Sequence, residues 1–373
     1  MANRIKEKYM AGKRYFDYPM LFLVIFLICF GLVMIYSTSS YKSTVTYGNS
    51  YHWLLRQAVA IVLGAVAMVV CCKLDYHIIK SEKFGNGCYW ASIVLLVLVL
   101  IIGAAKKGAV RWISIAGFQF QPSEVSKILV VIYLANRLSA NAHKIRTFKD
   151  SIVIVLPTVP IIALIVTQNL STALVVCSMI GVMLFVVSPK MKELMLTAGG
   201  GIILLFVYLL TANSYRNERV QIWLHPESHK KGFQTMQALY AIGSGGIFGK
   251  GFGNSVQKKP GFIPEAHTDM IFSIICEELG LVGALVIIGL LIYLLYLIYQ
   301  VAKNSENVYG SVLAMGVFFH IGVQSIINIA VNINLFPNTG IPLPFFSYGG
   351  TSIVIIMAEM GLVISIDRYH CLK

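Results

Sequence analysis

The stretch from Gly243 to Gly280, GSGGIFGKGFGNSVQKKPGFIPEAHTDMIFSIICEELG, gathers the residues best suited to chemistry. A basic, glycine-rich run containing Lys250 leads into Pro264-Glu265-Ala-His267-Thr268-Asp269. An apolar helix follows at once and carries two adjacent carboxylates, Glu277 and Glu278. A carboxylate such as Asp269 can act as a general base. At a helix N-terminus it also suits a cap favoured by the helix dipole, and spacing leaves both readings open. Glu277 lies at i+8, about 12 Å of helix away, which argues against a two-carboxylate mechanism from this helix alone.

Other candidates have competing readings. The run Gly243–Gly253 fails the P-loop pattern, because Gly251 follows Lys250 where Ser or Thr is required, and it lacks the G-x-G-x-x-G spacing. It reads as a flexible or tightly turning loop, or as a mobile lid whose N–H groups and Lys250 meet an anionic substrate. His225 and His229 are four apart, but Pro226 stands where a zinc protease needs Glu and no third ligand is evident. Glu124 and Lys127 lie three apart in an apolar run. An unpaired charge there costs at least about 2.5 kcal/mol, so the pair either fixes packing or lines a polar cavity. Lys106, Lys107, Arg111 and Trp112 suit a phosphate and a sugar ring, or anchoring at a lipid interface. Arg56 reads as a snorkelling anchor, and His320 and Glu359 as satisfied core groups. Pro337–Pro344 and Ser347-Tyr348-Gly349-Gly350-Thr351 read as rigid non-helical backbone, tolerated at membrane depth only where it is buried or lines a cavity.

These residues must be held by membrane helices. Of the 373 residues 57% are hydrophobic and only 12% charged, where a soluble domain carries about 25% charged residues. Apolar runs of about 20 residues without period-2 alternation exclude a barrel. The expected fold is an all-α integral membrane domain spanning 1–373. It has ten transmembrane helices, over 18–37, 53–72, 87–104, 122–136, 150–167, 170–188, 192–212, 270–300, 308–332 and 343–366. The first is an uncleaved span rather than a signal peptide.

Lys and Arg concentrate in the N-terminus, loops 73–86 and 137–149, Lys190, Lys192, Lys303 and the tail, which places both termini in the cytoplasm. The long loop 213–269, between helices seven and eight, is then extracellular. Its length points to local structure or function; Tyr215–Leu224, with Arg216 and Arg219 on one side, and Thr235–Ile242 are short helix candidates. The net charge of +14 reads as a topology and lipid-contact signal rather than nucleic-acid binding. The seven cysteines show no metal or disulfide framework.

With these motifs in view, the chain resembles the SEDS family (shape, elongation, division and sporulation), the peptidoglycan glycosyltransferases typified by FtsW, RodA and SpoVE. The resemblance runs nearly end to end. It rests on GLVMIYSTS (31–39), RWISIAGFQFQPSEVSK (111–127), YRNERVQIWLHP (215–226), GFQTMQALYAIGSGGIFGKGFGNSVQK (232–258), PEAHTDMIFSIICEELGLVG (264–283) and GIPLPFFSYGGTS (340–352). The NSVQK run is closer to the division and sporulation branch.

The resemblance implies ten helices and inverting polymerisation of lipid II on the outer face of the bacterial cytoplasmic membrane, with release of undecaprenyl pyrophosphate. Asp269 falls on the family's essential carboxylate, and Glu124 and Lys127 on its fourth-helix pair. Arg111, Trp112, Arg216, Arg219, Lys250, His267, Thr268 and Ser347 join Glu124 and Lys127 in the expected substrate-binding set. Pro264, Glu265, Glu277, Glu278, Tyr348, Gly349 and Gly350 are expected supports. The resemblance also implies a divalent cation (Mg or Mn), a class B penicillin-binding protein as crosslinking partner, and other division proteins. A lipid II flippase or a division scaffold is the rival reading. Three departures stand out: Gln168-Asn169-Leu170-Ser171-Thr172 replaces Pro-Asp-Leu-Gly-Thr, Met270 replaces a common Phe, and Val110 replaces a common basic residue.

Overall fold

The computed structural model describes residues 18–106, 109–115, 118–145, 148–187, 220–229, 232–259, 262–264 and 266–370. Its helices are α1 (Tyr18–Tyr47), α2 (His52–Lys73), α3 (Glu82–Ile102), α4 (Pro122–Asn141), α5 (Phe148–Val155), α6 (Val159–Gln168), α7 (Leu170–Val187), α8 (Phe233–Gly245), α9 (Ile271–Asn304), α10 (Val308–Asn332) and α11 (Gly350–His370). Among the described residues, eight helical segments are long and apolar enough to cross a membrane, with α5 and α6 counted as one. Exposed Phe22, Val62, Ile101 and Ile292 face outward from α1, α2, α3 and α9, as lipid contact requires. The expected span 192–212 and Arg216, Arg219 and Glu265 lie outside the described residues.

Helix α4, expected as the span 122–136 and less apolar than the other spans, is enclosed by α3, α7 and α10. That enclosure lets an intramembrane segment carry Glu124, Lys127 and Asn136, all buried. Helices α2 and α11 cross closely because each supplies a glycine at the contact. A Cβ on Gly64 would meet Met357 Sδ at 2.6 Å, and one on Gly361 the Met68 carbonyl oxygen at 2.4 Å.

Several boundaries differ from the sequence reading. Residues 104–120 form a three-stranded antiparallel sheet, β1 (Ala104–Lys106), β2 (Ala109–Ile115) and β3 (Phe118–Phe120), in that order, so the fold is not purely helical. The β-branched run Val110–Ile115 favours pairing over another helical turn. Helix α1 continues ten residues beyond the expected end at 37, its polar last turns packing Ser37, Thr38, Ser39 and Ser43 inside the protein. The final helix begins at Gly350 rather than 343, and residues 343–349 are non-helical. The described part of the expected long loop is structured, carrying helical residues 220–224 and α8.

Helices α6 and α7 are separated at Asn169 (φ −155°, ψ 100°), although no proline stands there. The Asn169 side-chain oxygen accepts the Ser171 N–H at 3.2 Å. The chain break is thus kept by an Asx-type cap.

The glycine-rich run is explained by a second break, at Gly280 in α9 (φ 69°, ψ −167°). Such a break leaves helical N–H and C=O groups unmatched, and hydrocarbon supplies no partner. Loop 246–251 takes all four. Leu281 and Val282 N–H donate to the Gly246 and Ile247 carbonyls at 3.0 and 3.1 Å, and Lys250 and Gly251 N–H donate to the Glu277 and Glu278 carbonyls at 2.9 and 3.0 Å. The two backbones are in contact: a Cβ on Gly280 would lie 2.3 Å from Gly249 N, and one on Gly249 2.2 Å from the Glu278 carbonyl oxygen. These glycines serve close backbone approach and a left-handed turn, not a mobile lid. Gly280→Ala is expected to destabilise the protein by about 2 kcal/mol or more, read as a lowered Tm in detergent. Gly289→Ala, where a Cβ meets nothing within 4 Å, is the control expected not to lower Tm.

Candidate functional site around Asp269

One end of the bundle is assembled from the C-terminal turns of α1, the head of α2, the small sheet, the described parts of 220–270 and the segment 333–349. Lys42 Nζ donates to the Pro264 carbonyl at 2.7 Å, Trp223 Nε1 to the Asn334 carbonyl at 2.9 Å, and Thr351 Oγ1 to the Gln119 carbonyl at 3.2 Å. The opposite end joins Asn136 to the Ile79 carbonyl, Asn307 to the Tyr76 hydroxyl and Ser365 to the Leu74 carbonyl. Asp269 lies at the first end, half-buried, two residues before α9.

The cap of α9 does not come from Asp269. Ser273 N–H and its hydroxyl both donate to Asn332 Oδ1 from α10. Asn328 Nδ2 and Asn332 Nδ2 donate to the Asp269 backbone carbonyl at 2.8 and 3.0 Å. The peptide at Asp269 is therefore held by two amides of a neighbouring helix. Its carboxylate accepts the Thr268 hydroxyl at 3.1 Å and faces Gly340, where a Cβ would lie 3.7 Å from Oδ2.

An aromatic wall stands beside it. The buried His267 ring lies 5.1 Å from Trp53 and 5.7 Å from Tyr348, and Trp53 and Tyr348 are 4.9 Å apart edge to face. Arg56 lies 5.9 Å over the Trp53 ring. Tyr348 N–H donates to the His267 carbonyl at 2.8 Å, and Gly349 N–H to Gln57 Oε1 at 3.2 Å. Phe345 has φ 68°, and its carbonyl sits where any side chain at Gly31 would collide, 2.2 Å from a Cβ.

Below this end lie the buried charges. Glu277 pairs with Lys250 at 2.6 Å and accepts the Val256 and Gln257 N–H groups. Glu278 pairs with Lys258 at 2.9 Å and accepts the Ser37 hydroxyl. Deeper in the bundle, Glu124 pairs with Lys127 at 2.9 Å, and Lys127 Nζ reaches Gln324 Oε1 at 3.0 Å. A cavity of about 20 Å³, lined by Glu124, Lys127, Asn169, Gln324 and Gly340 among others, adjoins them. It has room for about one water. His320 and Glu359, expected as satisfied core groups, pair with each other at 2.7 Å.

The comparisons with known proteins agree with this architecture. A family model described as "Cell cycle protein", that of FtsW, RodA and SpoVE, matches residues 18–371. The probable peptidoglycan glycosyltransferase FtsW of Geobacter sulfurreducens is 36% identical over 359 residues, covering 94% of this chain and 95% of its own. Stage V sporulation protein E of Bacillus subtilis is 34% identical over 363 residues, covering 95% and 97%. This chain belongs to the FtsW/RodA/SpoVE family. Among solved structures, a chain from a peptidoglycan synthase complex that coordinates polymerization and crosslinking superposes with a TM-score of 0.80 at 29% identity, covering 95% of this chain and 98% of that one. The rod shape determining protein RodA of Thermus thermophilus gives 0.71 at 27%, covering 95% and 97%.

Within this FtsW/RodA/SpoVE fold the expected site residues separate. Asp269 and Thr268 lie together, and His267, Tyr348 and Gly349 build the wall behind them. Ser347, expected at the substrate, is instead buried and accepts the Leu343 N–H at 2.7 Å, closing the 343–347 turn. Lys250, expected on an anionic substrate, is held by Glu277 and Ser244. Glu124 and Lys127 are 4% and 2% exposed, enclosed rather than open to a lipid head group. Arg111 sends Nε to the Gln168 carbonyl at 2.6 Å, at the end of α6, and Trp112 is half-buried beside it. Pro264 contributes its carbonyl to Lys42, and Gly350 opens α11. Lys42, Trp53, Gln57, Asn328 and Asn332 escaped the sequence reading. Among the described residues no group of three or more His, Cys, Asp or Glu converges to hold a metal.

Removing one partner of a buried ion pair leaves an uncompensated charge. Lys258→Met is expected to cost about 3–5 kcal/mol, seen as a lowered Tm, and Glu278→Gln in the same chain is expected to restore most of it.

Proposed function

We propose that this FtsW/RodA/SpoVE chain is a peptidoglycan glycosyltransferase that polymerises lipid II on the outer face of the cytoplasmic membrane, in division or sporulation. The names of its relatives support the reaction class. The observation that carries the site is the junction at Asp269: two α10 amides fix its peptide, Asn332 does the capping, and the carboxylate faces the 337–344 segment at one end of the bundle. The Lys- and Arg-rich short loops belong to the other end, which supports an outer position for Asp269 and cytoplasmic termini.

The acceptor's sugar 4-hydroxyl attacks the donor's anomeric carbon. Asp269 removes the hydroxyl proton as the new C–O bond forms. The bond from the anomeric carbon to the phosphate oxygen breaks, its electron pair leaving with undecaprenyl pyrophosphate, and the α-linked phosphate becomes a β-1,4 glycoside by inversion. Arg111 and Arg56 are cationic groups of this end that suit the leaving pyrophosphate, with Arg216 and Arg219 expected to join them. Lys250 is reassigned to support of Glu277. Trp53, His267 and Tyr348 offer the apolar wall a sugar ring stacks against.

A divalent cation fits here only as a shared ion, because magnesium is commonly held by one or two carboxylates plus substrate phosphates. Asp269 would be its protein ligand, and the ion would neutralise charge on the pyrophosphate. A class B penicillin-binding protein is the proposed partner, supported by the structural likeness to a chain of a synthase complex. The flippase reading draws no support from the Glu124–Lys127 cavity, which is far smaller than a disaccharide head group.

Asp269→Asn in purified protein is expected to lower glycan polymerisation from lipid II by at least about 10²-fold with Tm unchanged. Undiminished polymerisation would remove Asp269 from the chemistry, and a wild type inactive even with its partner would favour transport or scaffolding. Chelation by EDTA is expected to suppress polymerisation and added Mg or Mn to restore it, without moving Tm; full activity after chelation would dismiss the cation.

A further inference from the structure

Helix α10 carries His320, Gln324, Asn328 and Asn332 at every fourth position. They form one ridge on the helix, about 18 Å long, and none is more than 1% exposed. Each of the four has its partner on another element. Gln324 accepts Lys127 Nζ at 3.0 Å and donates Nε2 to the Pro342 carbonyl at 3.0 Å. Asn328, one turn on, donates Nδ2 to the Ile341 carbonyl and to the Asp269 carbonyl, both at 2.8 Å.

Two consecutive carbonyls of one non-helical segment thus hang from consecutive turns of α10. One is tied to the Glu124–Lys127 ion pair and the next to Asp269. Gly340, the residue before them, lines the cavity at Glu124 and Lys127 and also faces the Asp269 carboxylate. The contacts run without a gap from Glu124 through Lys127, Gln324, Pro342, Ile341 and Asn328 to Asp269. His320 extends the ridge inward, with its Nδ1 on Glu359.

We infer that Gln324 and Asn328 are positioning residues through which the enclosed Glu124–Lys127 pair sets the place of the Asp269 carboxylate. The inference rests on the reading of Asp269 as the general base. It gives the intramembrane pair a function without contact to substrate: segment 340–342 is hung at a fixed height, and the carboxylate is held against it.

The test uses the purified full-length chain with lipid II. Gln324→Met removes both Gln324 bonds, and Lys127→Met removes the ion pair. Since misplacement by about 1 Å costs about 10²-fold, each is expected to lower kcat by about 10- to 100-fold while KM for lipid II stays within about 2-fold. The double variant is expected to match the weaker single variant, because both cut one path. Gln324→Glu keeps an acceptor for Lys127 but loses the donor to Pro342, and is expected to show the same kcat loss; it serves if Gln324→Met does not fold. A raised KM with unchanged kcat, or losses that multiply in the double variant, would overturn the relay in favour of substrate contact or independent roles.

Hydrogen exchange supplies a readout that needs no activity. In Gln324→Met and Lys127→Met the Ser273 and Tyr348 amides are expected to exchange several-fold faster, and the Gly310 amide at the opposite end at the wild-type rate. Unchanged exchange at Ser273 and Tyr348 overturns the relay whatever the activity. An inactive wild type would instead count against the glycosyltransferase reading, and exchange would still decide the relay.

Discussion

Two side-chain amides, from Asn328 and Asn332, converge on the carbonyl of Asp269, and the geometry of the site depends on that junction. A helix that begins within a membrane bundle exposes N–H groups that no water will satisfy. The usual remedy is a carboxylate or hydroxyl at the cap. Here the neighbouring helix supplies Asn332 instead, so the carboxylate just before the helix is directed toward the 337–344 segment. Sequence alone leaves that residue balanced between cap and catalyst, and in the structure Asn332 supplies the capping acceptor for Ser273.

The same constraint shapes the rest of this end. The break at Gly280 works only because loop 246–251 takes up the backbone groups it exposes, and the loop reaches them only because glycines let two backbones touch. Glu277 and Glu278 then fasten Lys250 and Lys258. Replacing a buried ion pair with apolar groups is often neutral or stabilising, whereas breaking one by removing a single partner is costly. The arrangement therefore specifies where residues 246–258 lie more than it adds net stability. Through Lys42 and Ser37, α1 is bound into the same assembly, which accounts for its polar continuation beyond the apolar span.

Much of this was legible in the sequence. Apolar runs located the described spans, and the PEAHTD motif with its following EE pair marked the candidate site. Boundaries failed where polar residues pack inside: α1 runs on through buried serines, and α4 is polar because it is enclosed. The sheet was hidden in a segment of mixed composition between two spans. Lys250 looked like an anion contact because its partner, Glu277, is distant in sequence. Ser347 was expected at the substrate because a turn-closing bond is invisible without coordinates. The break at Asn169 survives the loss of proline through a side-chain cap that composition does not announce. The α10 ridge was within reach: amides at every fourth position of an apolar helix have one face and need partners there, and that period, not single residues, was the signal to follow.

The central claim is that Asp269 takes the proton from the acceptor hydroxyl. A structure of the wild-type chain with lipid II and a non-hydrolysable donor tests it most directly. The expected result is the acceptor sugar 4-hydroxyl within about 3 Å of an Asp269 carboxylate oxygen, with that hydroxyl aligned on the donor's anomeric carbon. A well-ordered complex in which the sugar 4-hydroxyl meets another side chain, with Asp269 beyond the reach of a single bridging water, would contradict it.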